Sequence, residues 1–137
     1  RHGLRAHFPA RGDGPVRLSL PDGFAIDVRE LGPRGAGRLE GRAVVYEHPS
    51  AGASFWTATE AGYEEWLLVA APPAGRPLAE WEVRGGTLRQ RGEAVEVVDS
   101  AGVARLRVTA PLAYAAGGAA VALRLRRSWP RSSSHPR

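Results

Sequence analysis

Apolar and polar side chains alternate at period two through short segment after short segment of this chain, and turn residues divide most of the segments. Val16-Arg17-Leu18-Ser19-Leu20 is one such run, Phe24-Ala25-Ile26-Asp27-Val28-Arg29 another, and Val121-Ala122-Leu123-Arg124-Leu125-Arg126 a third. Alternation of this kind puts one set of side chains in a core and the other in water, which is the pattern of a half-buried β-strand. Between the first two runs, Pro21-Asp22-Gly23 supplies a residue preset for a turn corner and a glycine that tolerates positive φ, so the pair reads as a hairpin.

Further strands are predicted at Leu4–Phe8, Ala43–Glu47, Ser54–Thr59, Tyr63–Val69, Leu78–Val83, Thr87–Arg91, Ala94–Val98 and Val103–Thr109, and the third run belongs to the last strand, Ala120–Arg126. Gly32–Gly37 reads as a loop and Ala110–Tyr114 as irregular. The breaker-rich run Ala70–Pro77 reads as a crossover between two sheets. Tyr63–Val69 ends apolar on both faces, as a central, doubly covered strand would, with Trp66 in the core; a helix over Ala61–Leu68 is the alternative there. Strands recurring about every 8–12 residues predict an all-β fold, an antiparallel β-sandwich of jelly-roll or immunoglobulin-like type with about 9–11 short strands. The expected organisation is an amino-terminal segment over 1–11 that includes the first strand, a single β domain over 12–127, and a disordered tail or linker over 128–137.

A chain of 137 residues can bury roughly two thirds of its unfolded surface, and its 43% hydrophobic content is that of a globular domain. The absence of cysteine excludes disulfides, cysteine-ligated zinc and thiol catalysis. The absence of methionine suggests a processed product or a domain cut from a longer protein. No apolar run is long enough for a spanning helix, so no membrane insertion is expected, and no signal peptide is seen. All 19 basic residues are arginine, Asn is absent and Gln90 is the sole side-chain amide, which points to codon bias in a GC-rich genome. The arginines are interrupted by Glu64-Glu65, Glu80, Glu82, Glu93 and Glu96, so no nucleic-acid partner is expected.

Catalytic chemistry is weakly signposted. His2, His7, His48 and His135 lack the paired spacing of metal ligands, and neither metal nor cofactor is expected. His48 and Ser50 are neighbours on one turn, which seldom builds a triad. Glu64 and Glu65 fall on opposite faces of their strand and cannot converge, while Glu80 and Glu82 share a face that reads as solvated. Arg11-Gly12-Asp13 is an integrin-type tripeptide in a turn, a sequence that Arg- and Gly-rich chains produce by chance. The aromatic set Trp56, Tyr63 and Trp81 is the candidate binding site, since exposed rings on a β-scaffold stack on sugars. Two exposed, coplanar rings would support that role.

Several stretches carry a family resemblance: Glu40-Gly41-Arg42-Ala43-Val44-Val45-Tyr46, then Gly62-Tyr63-Glu64-Glu65-Trp66-Leu67-Leu68-Val69, then Pro72-Pro73, and finally Leu106-Arg107-Val108-Thr109-Ala110-Pro111-Leu112-Ala113-Tyr114 with Gly117-Gly118. Over residues 12–126 the chain resembles β-rich modules near the amino-terminal side of large secreted bacterial proteins with β-propeller-type repeats (SBBP or FG-GAP-like). It departs from them at Trp66, where Phe is usual, and at Ala115 or Ala116, where Asp is usual. The resemblance implies an extracellular or cell-envelope location and a non-catalytic structural or interaction module of a larger secreted or cell-surface protein. Its partners would be neighbouring domains or another protein. A carbohydrate-binding module using Trp56, Tyr63 and Trp81 on polysaccharide is the alternative, and a hydrolase-type domain the second alternative. In such folds edge strands bind partners, and the arginines of the last strand (Arg124, Arg126, Arg127) would discourage indiscriminate pairing.

Overall fold

The computed structural model describes residues 3–49, 52–69 and 79–109, together with the backbone of 113–114 and 120–121. Those residues are all-β, with thirteen strands and no helix among them. The strands are β1 (Arg5–His7), β2 (Val16–Ser19), β3 (Ala25–Leu31), β4 (Arg38–Glu40), β5 (Ala43–Glu47), β6 (Ala53–Ala58), β7 (Tyr63–Leu68), β8 (Glu80–Arg84), β9 (Thr87–Arg91), β10 (Ala94–Val98), β11 (Ala104–Val108), β12 (Ala113–Tyr114) and β13 (Ala120–Val121). The chain divides into two compact units, 1–85 and 86–137, with the boundary inside the 12–127 span expected to form one β domain.

The first unit holds two four-stranded antiparallel sheets, ordered β1-β2-β3-β8 and β4-β5-β6-β7. Every neighbouring pair but β3–β8 is consecutive in sequence, so tight turns set most registers. The Pro21-Asp22-Gly23 hairpin forms as expected, with Gly23 N donating to Leu20 O at 3.0 Å and Arg17 opposite Asp27. The chain leaves one sheet at Leu68 and enters the other at Glu80. The predicted crossover over 70–77 lies in that interval, outside the described residues.

The sheets pack on Val16, Tyr46 and Trp56, joined by Ala6, Phe8, Leu18, Val44 and Tyr63. Phe8 meets Trp56 and Tyr63 edge-on, with ring centroids 6.0 and 6.2 Å away. Tyr46 donates its hydroxyl to Pro9 O at 2.6 Å, and burial pushes its phenol above the ordinary value. The outward face of the first sheet carries ion pairs instead: Arg17–Asp27 at 3.1 Å, Arg29–Glu82 at 3.4 Å and Arg84–Glu82 at 3.3 Å. At this exposure each contributes little to stability.

Two expectations change. β7 is the last strand of its sheet among the described residues, and its burial alternates, with Tyr63, Glu65 and Leu67 inward. Trp66 and Leu68 are therefore outside, 51% and 61% exposed, rather than in a doubly covered strand. The run from Trp66 to Val69 misleads because apolar residues on an outward edge look locally identical to apolar residues in a core. Residues 32–37 hold no strand, as expected of a loop, and a three-residue strand not anticipated, β4, follows them, paired with β5 through the Gly41 turn. Ala113–Tyr114, expected to be irregular, pairs with Ala120–Val121.

The second unit contains the sheet β11-β10-β9 and the β12–β13 ladder. Ala94, Val95, Val97 and Val98 of β10 are buried, as a central strand's would be. Asp99 organises the turn into β11: its carboxylate accepts from Val103 N and Ala101 N and pairs with Arg105, and these contacts hold it below the usual carboxylate range. Residues 122–137 fall outside the described residues, including the arginines of the last strand and the predicted tail.

Gly52 closes the approach of β6 to β7. Its φ is +100°, and a Cβ there would collide with Leu68 O. Gly52→Ala should lower stability by at least about 2 kcal/mol in urea denaturation, because both the backbone conformation and the contact become unfavourable.

Candidate functional site

The alternation that builds the sandwich also carries polar groups into it. On β3, Val28 and Glu30 share the inward face, and Leu31 turns out to solvent. On β7, Glu64 points out and Glu65 in, the divergence expected of neighbouring strand residues. β6 brings Ser54, which is 0% exposed, and β8 brings Trp81 opposite Glu30 in register. His48 follows β5 and reaches the same place, with its side chain 23% exposed.

These groups connect across the two sheets. Ser54 Oγ donates to Glu30 Oε2 at 2.9 Å. A serine hydroxyl has one proton, so the 2.8 Å contact between His48 Nε2 and Ser54 Oγ requires the ring nitrogen to donate. His48 Nε2 also lies 3.7 Å from Glu30 Oε2. Trp81 Nε1 donates to Glu65 Oε1 at 2.8 Å. Trp81, paired with Glu30 in register, thus joins Glu65 to the same cluster; burial first, then the neighbouring Glu30, push the Glu65 carboxyl up to about 10. The contacts with Trp81 and Ser54 act the other way but do not offset this.

A serine, a histidine and an acid are together, yet their arrangement is not that of a catalytic triad. In a triad the histidine takes the serine proton on one ring nitrogen and is steadied by the acid at the other. Here Ser54 gives its proton to the acid, and both partners approach the same nitrogen of His48. The hydroxyl is enclosed and fully engaged. Among the described residues no cluster of His, Cys, Asp or Glu has metal-binding geometry. Ser50 lies outside the described residues.

The three aromatic candidates are committed to the interior. Trp56 is 9% exposed and packs on Phe8. Tyr63 is half-buried, and its hydroxyl accepts from Ala6 N at 3.1 Å. Trp81 is half-buried with its indole N–H on Glu65. Trp66 is the open tryptophan among the described residues, its N–H donated to Glu64 Oε1 at 2.7 Å. Arg11-Gly12-Asp13 is also built into the fold. Gly12 is buried where a Cβ would sit 2.7 Å from Pro33, its N–H donates to Gly35 O, and Arg11 donates to Arg34 O. Glu80 is exposed and Glu82 pairs with Arg29 and Arg84, the solvated face expected of them.

Sequence reasoning missed Glu30, Ser54 and Glu65 as a group. The only local signal was an acidic residue on an otherwise apolar inward face, at Glu30 beside Val28 and at Glu65 between Tyr63 and Leu67. Comparisons with protein-family models, with curated proteins and with solved structures return no match.

Ser54→Ala should cost about 1–3 kcal/mol, since it strands one donor at His48 and one acceptor at Glu30 in a closed space. Urea denaturation at neutral pH measures it; Thr57→Ala on the outward face of the same strand is the control, with an expected change of less than about 0.5 kcal/mol.

Proposed function

We propose that the chain is a non-catalytic structural and interaction module of a larger bacterial secreted or cell-surface protein, and that its outward sheet face receives a neighbouring domain of that protein. The observation that carries this is the exposure of Trp66 and Leu68 on β7, the terminal strand of its sheet among the described residues. Both project from the outward side next to Phe55, which is paired with Trp66 in register. Apolar area left in water is worth roughly 25 cal/mol per Å² when covered, so two large side chains at a sheet edge favour a partner. Terminal strands also offer a template for adding a further strand.

The chemistry of the interior supports the same reading. The polar groups closest to a catalytic set are enclosed, and the sole hydroxyl among them is engaged on both sides. The location in a secreted or envelope protein rests on the sequence resemblance over residues 12–126. The aromatic residues first considered for sugar stacking pack inward, which leaves the polysaccharide alternative without a platform built from them.

Trp66→Ser should change the stability of the isolated chain by less than about 1 kcal/mol, because half of the side chain is already in water. In the intact parent protein the same substitution should destabilise this module more, and acrylamide should quench Trp66 less than in the isolated chain. Equal quenching and equal destabilisation in the two settings would refute the proposal.

A further inference from the structure

Two buried oxygens, Glu30 Oε1 and Glu65 Oε2, lie on opposite sheets, and no hydroxyl or N–H reaches either of them. The other two oxygens of these carboxyls are served, Glu30 Oε2 by Ser54 and Glu65 Oε1 by Trp81. Two ionised carboxylates within reach of each other in a closed space repel and leave both oxygens unmatched. A single proton resolves both problems. Carried on Glu65, it makes one carboxyl neutral and supplies a donor to a pair that has an unmatched oxygen on each side.

We propose that Glu30 and Glu65 form a one-proton binding site that latches the two sheets of the sandwich together, closing them when the proton is bound and loosening them when it is lost. The full chain of hydrogen bonds is then consistent. His48 Nε2–H donates to Ser54, Ser54 donates to Glu30, protonated Glu65 donates to Glu30, and Trp81 donates to Glu65. One net negative charge remains on the pair.

The groups facing the latch come from every strand around it. β3 contributes Glu30 and β7 contributes Glu65. His48 enters from the end of β5. β6 and β8 contribute the neutral Ser54 and Trp81. Tyr46 shares the inward face of β5 but gives its hydroxyl to Pro9 O. The arginines of β3 and β8, Arg29 and Arg84, are on the outward face with Glu82.

The sign of the pH effect follows. Glu65 holds its proton to about pH 10 in the folded chain but loses it in the ordinary glutamate range when unfolded. The contribution of the latch is therefore complete in acid, falls through neutral pH and is exhausted at about pH 10. One proton corresponds to at most a tenfold rise in the unfolding constant per pH unit, about 1.4 kcal/mol. Tyr46, also raised by burial, titrates above the ordinary tyrosine range and acts beyond that window.

The test is urea unfolding of the wild type, Glu65→Gln and Glu30→Gln from about pH 5 to about pH 10, in the presence of a chelator. A glutamine on either side carries a permanent N–H where the shared proton stood. The wild-type unfolding constant should rise with pH by up to tenfold per unit; Glu65→Gln should lose that rise and Glu30→Gln, which leaves Glu65 buried but removes the charge beside it, should reduce it, and both should become more stable than the wild type at alkaline pH. Parallel pH curves for the wild type and the variants would overturn the latch. A second measurement needs no variant to fold. The wild type at neutral pH should show the infrared C=O stretch of a protonated carboxyl, and its absence there would overturn the proposal equally. A wild type stabilised by an added divalent cation but indifferent to pH would replace the proton with a metal and reject the inference.

Discussion

Burying two carboxyl groups between apolar sheets imposes a demand that few side chains can meet. An isolated buried carboxylate is among the most costly groups in a protein interior, and a second one beside it adds repulsion. The sandwich answers with donors drawn from different strands: Ser54 from β6, Trp81 from β8 and, through Ser54, His48 after β5. Each is correct only in one register. A slip of β7 by one residue would send Glu65 to solvent and turn Glu64 and Trp66 inward, and the Trp81 bond would be lost. The polar cluster therefore specifies the alignment of both sheets more sharply than the apolar core around Phe8 and Trp56, where one hydrophobic contact can replace another.

Much of the backbone arrangement was legible because alternation and turn chemistry are local properties. β5, β9 and β10 have the bounds that their patterns predict, and the Pro21-Asp22-Gly23 hairpin carries its register in three residues. The opposite orientation of Glu64 and Glu65 also follows from the pleat alone. β4 was hidden because three residues between Gly37 and Gly41 are too few to display a period.

The site was not legible, for a different reason. In β3 the polar Glu30 is inside and the apolar Leu31 outside, so hydropathy at the end of that strand runs against burial. Its explanation lies in residues far along the chain, Ser54 and Glu65, which only the folded pairing of sheets brings near. Trp66 failed in the same way. Whether an apolar outward face is covered depends on the rank of its strand within the sheet, and β7 shows that rank only in the assembled fold.

This separation of inside from outside bears on what such a chain can do. The groups with the richest chemistry are largely shut away from solutes: Glu30 and Ser54 are buried, and His48, Glu65 and Trp81 are only partly exposed. What the first unit offers to its surroundings is apolar at Trp66 and Leu68 and ion-paired on the face with Arg17, Arg29 and Arg84. The proposed interaction rests on the apolar part of that surface, Trp66 and Leu68. In the proposed latch the buried carboxyls act within the first unit: one shared proton sets how firmly its two sheets stay closed, and hence how rigid a face it presents.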